Sequence, residues 1–129
     1  METEDLLEEL SARVGDELES VAEDRRQFLE GLRELQGGDV EAAAAKFRRA
    51  SRSGEECWAQ MARFGLARCE AVRGREGSAL RELRGLAEGE GPAAFQQVVW
   101  MEIAALAKKR GDQVLWESAR RGVEACRER

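Results

Sequence analysis

Residues 28–50 read FLEGLRELQGGDVEAAAAKFRRA. Phe28, Leu29, Leu32 and Leu35 recur at helical spacing up to Gly37-Gly38, and Asp39 opens a second helical pattern carrying Val40, Ala43, Ala44, Phe47 and Ala50. Glycine is the residue type suited to a left-handed helix end, and aspartate caps the start of the next helix. A connection this short makes the two helices antiparallel neighbours. A related pattern returns twice further along the chain, so the stretch reads as one unit of a short helical array.

Upstream, residues 2–14 place Leu6, Leu7, Leu10 and Val14 on one side of a helix that Thr3 can cap. Gly15-Asp16 is read as a break, after which a second helix runs from about Glu17 to Gln36. Downstream, helices are expected over about Glu55–Arg73, Ser78–Glu88, Pro92–Arg110 and Gln113–Cys126. Ser78 is the expected cap of the fifth helix, GEGP at 89–92 is the clearest breaker, and Gly111-Asp112 repeats the Gly-Asp turn. The sixth helix is apolar nearly all round (Phe95, Val98, Val99, Trp100, Ile103, Ala104, Leu106, Ala107) until Lys108-Lys109-Arg110.

The 129 residues fit one domain with a modest core. Ala, Leu, Glu and Arg dominate, with one Pro and a single Thr, which is helix-forming composition poor in strand formers. The expected fold is therefore all-α, with about seven helices: 1–14 as an N-terminal capping or groove-filling helix, then pairs at 17–54, 55–88 and 92–127. The acidic start METEDLLEEL lacks the layout of a secretory signal, and no apolar run is long enough for a membrane span. Three cysteines, Cys57, Cys69 and Cys126, without CxxC spacing argue against disulfide and zinc frameworks and for a cytoplasmic setting. The net charge of −5 conceals an asymmetry: residues 1–45 carry 14 acidic and 4 basic side chains, the remainder 12 and 17. The first third is thus suited to attract the rest, or a basic partner.

Gly31 and Gly65 are 34 residues apart, and Ala104 stands eight residues before Asp112 as Gly31 stands eight before Asp39. A small residue there lets paired helices approach closely. These positions resemble the tetratricopeptide repeat, a helix–turn–helix unit. Gly31, Ala43, Phe47 and Ala50 fall on its small, small, aromatic and small positions, and Trp100, Ile103, Ala104 and Ala107 follow its opening pattern with Ala for Gly and for Tyr. The second unit keeps Met61, Phe64 and Gly65, but Ala79 and Leu83 are shifted by two residues. Trp116 and Arg120 replace a small and an aromatic residue, and the repeat-ending Pro is absent. The resemblance covers about residues 25–125 and implies a short right-handed solenoid of stacked helix pairs.

The resemblance further implies a concave groove lined by the first helix of each pair: Arg25, Phe28, Leu32, Ala59, Ala62, Leu66, Val98, Met101 and Ala105. A largely apolar groove suits an amphipathic helix or apolar segment of another protein, which makes an adaptor or small chaperone the expected function. The same residues could instead pack against neighbouring helices or the chain's own first helix. The family's carboxylate-clamping mode needs Asn, and the chain has none. A self-associating homodimer through Trp58, Trp100 or Trp116 is the main alternative. Binding of nucleic acid or another anion by Lys46-Arg48-Arg49-Arg52, Lys108-Lys109-Arg110 and Arg120-Arg121 is a third. With no His, no phosphate loop and no nucleophile elbow, neither catalysis, nor a cofactor, nor a metal site is expected.

Overall fold

The computed structural model describes the backbone of residues 3–129 and the side chains of 7, 8, 12, 16 and 22–129. Among these residues there are six helices and no strand: α1 (Thr3–Gln36), α2 (Val40–Ala50), α3 (Glu56–Val72), α4 (Glu76–Glu88), α5 (Ala93–Arg110) and α6 (Gln113–Arg127). The Thr3 cap and the apolar positions Leu6, Leu10, Val14, Leu18 and Val21 lie outside the described side chains.

The expected break at Gly15-Asp16 does not occur, and six helices replace seven because α1 is continuous from Thr3 to Gln36. The separate 1–14 helix is therefore corrected to the leading part of α1. One glycine among strong helix formers costs only about 1 kcal/mol, whereas a break strands several backbone donors and acceptors.

Three turns share one geometry. Gly38, Gly74 and Gly111 have φ of +89°, +85° and +71°. The next residue's N–H then donates back to the carbonyl five residues earlier: Asp39 to Glu34, Arg75 to Glu70 and Asp112 to Ala107, each at 2.9 Å. This closure satisfies helix-end carbonyls and turns the chain sharply. Asp39 and Asp112 complete it by accepting from the N–H groups of Ala42 and Leu115, both at 3.1 Å. At the middle turn the next helix starts immediately, with Arg75 in the cap position and no side-chain cap bond. Ser78 is consequently inside α4 and exposed, not its cap.

Consecutive helices pack on one another, and α1 also packs on α3. Two apolar clusters result. One gathers Phe28, Ala43, Ala44, Phe47, Ala50, Ala62 and Cys69 from α1, α2 and α3. The other joins Phe64 and Ala67 of α3 to Leu80 and Leu83 of α4, Val99, Ile103 and Leu106 of α5, and Leu115 and Ala119 of α6. The even-numbered helices bury the same pair of positions, Ala43/Phe47, Ala79/Leu83 and Leu115/Ala119, at a spacing of 36 residues. Helix α3 is the shared wall, giving one face to each cluster.

Charge pairs brace these contacts. Lys46 of α2 donates to the Glu30 carboxylate of α1, and Arg73 reaches Glu41 of α2 at 2.6 Å and Glu70 of α3 at 3.0 Å.

Candidate docking surface

The residues expected to line a groove separate into two groups. Phe28, Ala59 and Ala62 are buried. The Phe28 ring packs 5.8 Å from Phe47 and 6.0 Å from Trp58, centroid to centroid, so it joins α1 to α2 and α3. Leu32 and Leu66 are half-buried against the same cluster. The first two pairs therefore meet through these side chains instead of leaving a trough between them. Leu66 also borders a hollow of about 330 Å³ with Arg48, Arg63, Ala67, Glu70, Arg73 and Glu82, whose rim is charged. Arg25 is exposed on α1.

Val98, Met101 and Ala105 form the second group, and all three are exposed on α5. Ala94, which the sequence reading did not single out, extends them into a line at i, i+4, i+7 and i+11. Its signal was available, since it precedes Val98 by one helical turn. The line is about 17 Å long at 1.5 Å per residue. Val98 and Met101 are 48% and 54% exposed, unusual for large apolar side chains grouped on one face. The cause lies in the composition of α5. Val99, Ile103, Leu106 and Ala107 are buried in the second cluster, yet the opposite side is apolar too and is left exposed among the described residues.

Charged groups frame this face. Glu102 lies 3.8 Å from Arg68 of α3, and the line ends at Lys108-Lys109-Arg110. Lys109 and Arg110, both exposed, lie 3.4 and 3.8 Å from the half-buried Glu76 of α4. Of the other basic residues, Arg120 lies over the Trp116 ring at 5.6 Å.

The tryptophans are half-buried packing residues. Trp58 lies against the first cluster, and Trp100 and Trp116 against the second. Trp100 covers Gly122 of α6 so closely that a Cβ there would come within 2.5 Å of the indole. Gly122 was missed in the sequence, although a glycine inside a helical pattern marks such an approach. Cys69 and Cys126 are buried and Cys57 is exposed, all as free thiols. Burial pushes the Cys69 thiol above its ordinary pKa. Among the described residues, no three His, Cys, Asp or Glu side chains are grouped to hold a metal ion, and no helix is long and apolar enough to cross a membrane.

Comparison of the chain with protein-family models, curated proteins and solved structures returns no match.

Proposed function

We propose that the protein is a protein–protein interaction adaptor or small chaperone, and that its docking surface is the Ala94–Val98–Met101–Ala105 face of α5. The exposed apolar line itself carries this reading. Its i, i+4, i+7 spacing is the register in which an amphipathic helix or apolar segment of another protein lays down its own anchors. The partner completes the coverage that α5 lacks among the described residues.

The scaffold belongs to a tetratricopeptide-like stack on this reading. Three features support it: the aromatic ring of Phe47 between Gly31 and Gly65, the repeated left-handed glycine turns, and packing mainly between helices adjacent in the chain. The closed contact between α1 and α3 shifts the binding surface from the whole row of odd-numbered helices to α5. Three free thiols, one of them exposed, fit a reducing cytoplasmic setting.

The test is partner capture by the wild type and by a Val98→Glu/Met101→Glu variant, with far-UV circular dichroism on both. Loss of a specific partner with unchanged helicity is the expected result. Undiminished capture by the double variant defeats the proposal.

A further inference from the structure

We propose that the exposed face of α5 receives the leading part of α1 from a second copy of this chain, in antiparallel orientation, so that two copies exchange these extensions. The inference rests on the α5 face being a docking surface, as proposed above, and names its occupant.

At 1.5 Å per residue, the 34 residues of α1 run about 50 Å, whereas the 11 residues of its hairpin partner α2 run about 16 Å. Phe47 brings Gly31 level with Gly65, so the start of α3 at Glu56 is level with about residue 22 of α1. Neither neighbour is long enough to flank the twenty or so residues before that point. Leu7, an apolar side chain described in this extension, is 59% exposed.

Residues 1–20 contain eight acidic side chains and one basic, with Leu6, Leu7, Leu10, Val14 and Leu18 at helical spacing. That is the sequence of an acidic amphipathic helix. The α5 face is an apolar line whose end is Lys108-Lys109-Arg110. Antiparallel docking runs the acidic start of α1 past that basic end while its apolar sequence positions run along Val98 and Met101. Small side chains at Ala94 and Ala105 let two helix axes come close.

The occupant is a second copy and not the chain's own helix. Because α1 is unbroken through Gly15, it has no hinge that would fold residues 3–14 back onto α5 of the same chain. A two-fold axis makes the exchange reciprocal, so each dimer gains the contact twice and closes.

Sedimentation equilibrium of the full chain across the micromolar range tests this. The wild type is expected to be a dimer. Val98→Glu/Met101→Glu, and independently Leu7→Glu/Leu10→Glu, should each raise the dissociation constant at least about tenfold with helicity retained. If the α5 variant loses helicity, the α1 variant reads the same contact from the other side. Lys108→Glu/Lys109→Glu should weaken the dimer, and adding Glu8→Lys/Glu9→Lys should restore it. A wild type monomeric at every concentration, or a dimer indifferent to either apolar pair, overturns the inference. A monomer that still captures a foreign amphipathic helix through Met101 leaves the docking surface standing and removes only this occupant. A monomer that captures nothing there removes both.

Discussion

Gly65 of α3 faces the ring of Phe47 of α2 so closely that a methyl group on the glycine would come within 2.6 Å of the ring's Cε1. Gly31 of α1 meets the same ring from the other side, where the corresponding distance is 2.7 Å. Phe47 is fully buried and so cannot yield toward solvent. Gly65→Ala should therefore destabilise the protein by about 1–3 kcal/mol through overpacking, despite alanine's better helix propensity. Phe47→Ala should cost about 3–5 kcal/mol through the cavity it leaves. Combining Gly65→Ala with Phe47→Leu should cost at least about 0.5 kcal/mol less than the two singles together, as urea denaturation will measure. Strict additivity would mean that the ring and the glycine do not meet.

Helix starts provide a second set. Asp39→Ala and Asp112→Ala each remove an acceptor from a helix N-terminus and should each cost about 1 kcal/mol. Ser78→Ala should change stability by less than about 0.5 kcal/mol, because Ser78 is exposed inside α4 and caps nothing. Thermal denaturation of the three variants in parallel gives the ranking.

The contrast between those serine and aspartate positions shows how far the sequence could be read. Gly31, Gly65 and the Gly-Asp turns were legible because glycine at a fixed interval has few uses besides close approach and left-handed turns. Ser78 was misread because the middle turn replaces Asp with Arg75, hiding a backbone closure that is the same at Gly38, Gly74 and Gly111. The α5 face was legible in Val98, Met101 and Ala105, whereas Phe28, Ala59 and Ala62 were assigned to the same groove and are core. Periodicity reports that a residue is apolar and which side of its helix it occupies. It does not report whether another helix covers that side, and α1 against α3 was such a case.

Gly15 tests the continuity of α1. In the middle of a helix, replacing glycine by alanine removes backbone freedom from the unfolded chain and improves propensity. Gly15→Ala should raise helicity and, where the segment's order is coupled to the fold, add up to about 1 kcal/mol of stability. A turn with a left-handed glycine at that position would reverse the sign, so circular dichroism of the single variant distinguishes the two.

Acid should act through three glutamates. The Arg26 guanidinium, helped by the Gln27 amide, holds Glu23 below the usual carboxylate range, and Lys46 does the same for Glu30. Partial burial alone would raise Glu70, but hydrogen bonds from Arg73 and Arg75 outweigh it and lower the carboxyl. A lowered pKa in the folded state means that the unfolded chain binds more protons in the window between the two values. Stability from these groups is thus complete above about pH 4.3, the ordinary glutamate value, and lost as pH falls below it. The melting temperature should be nearly level from pH 8 to pH 5 with respect to these groups and decline at lower pH. Lys46→Met should flatten part of that decline, and added salt should weaken the contribution of the exposed Arg26–Glu23 pair most.

The cysteines should react in an order set by access. Cys57 is exposed near the start of α3, whereas Cys69 lies in the first cluster and Cys126 is buried beside Arg129. Nucleophilic attack needs the thiolate, and burial raises the Cys69 pKa, so that thiol is both shielded and largely protonated at neutral pH. In a maleimide time course read by mass spectrometry, one adduct should appear quickly and Cys57→Ser should abolish it. Labelling of Cys69 should wait for opening of the α1–α2–α3 cluster, and its rate should rise in Phe47→Ala as the open population grows. Equal rates at Cys57 and Cys69 in the wild type would contradict the packing of that cluster, since the Cys69 side chain is 0% exposed and offers a reagent no path without unfolding.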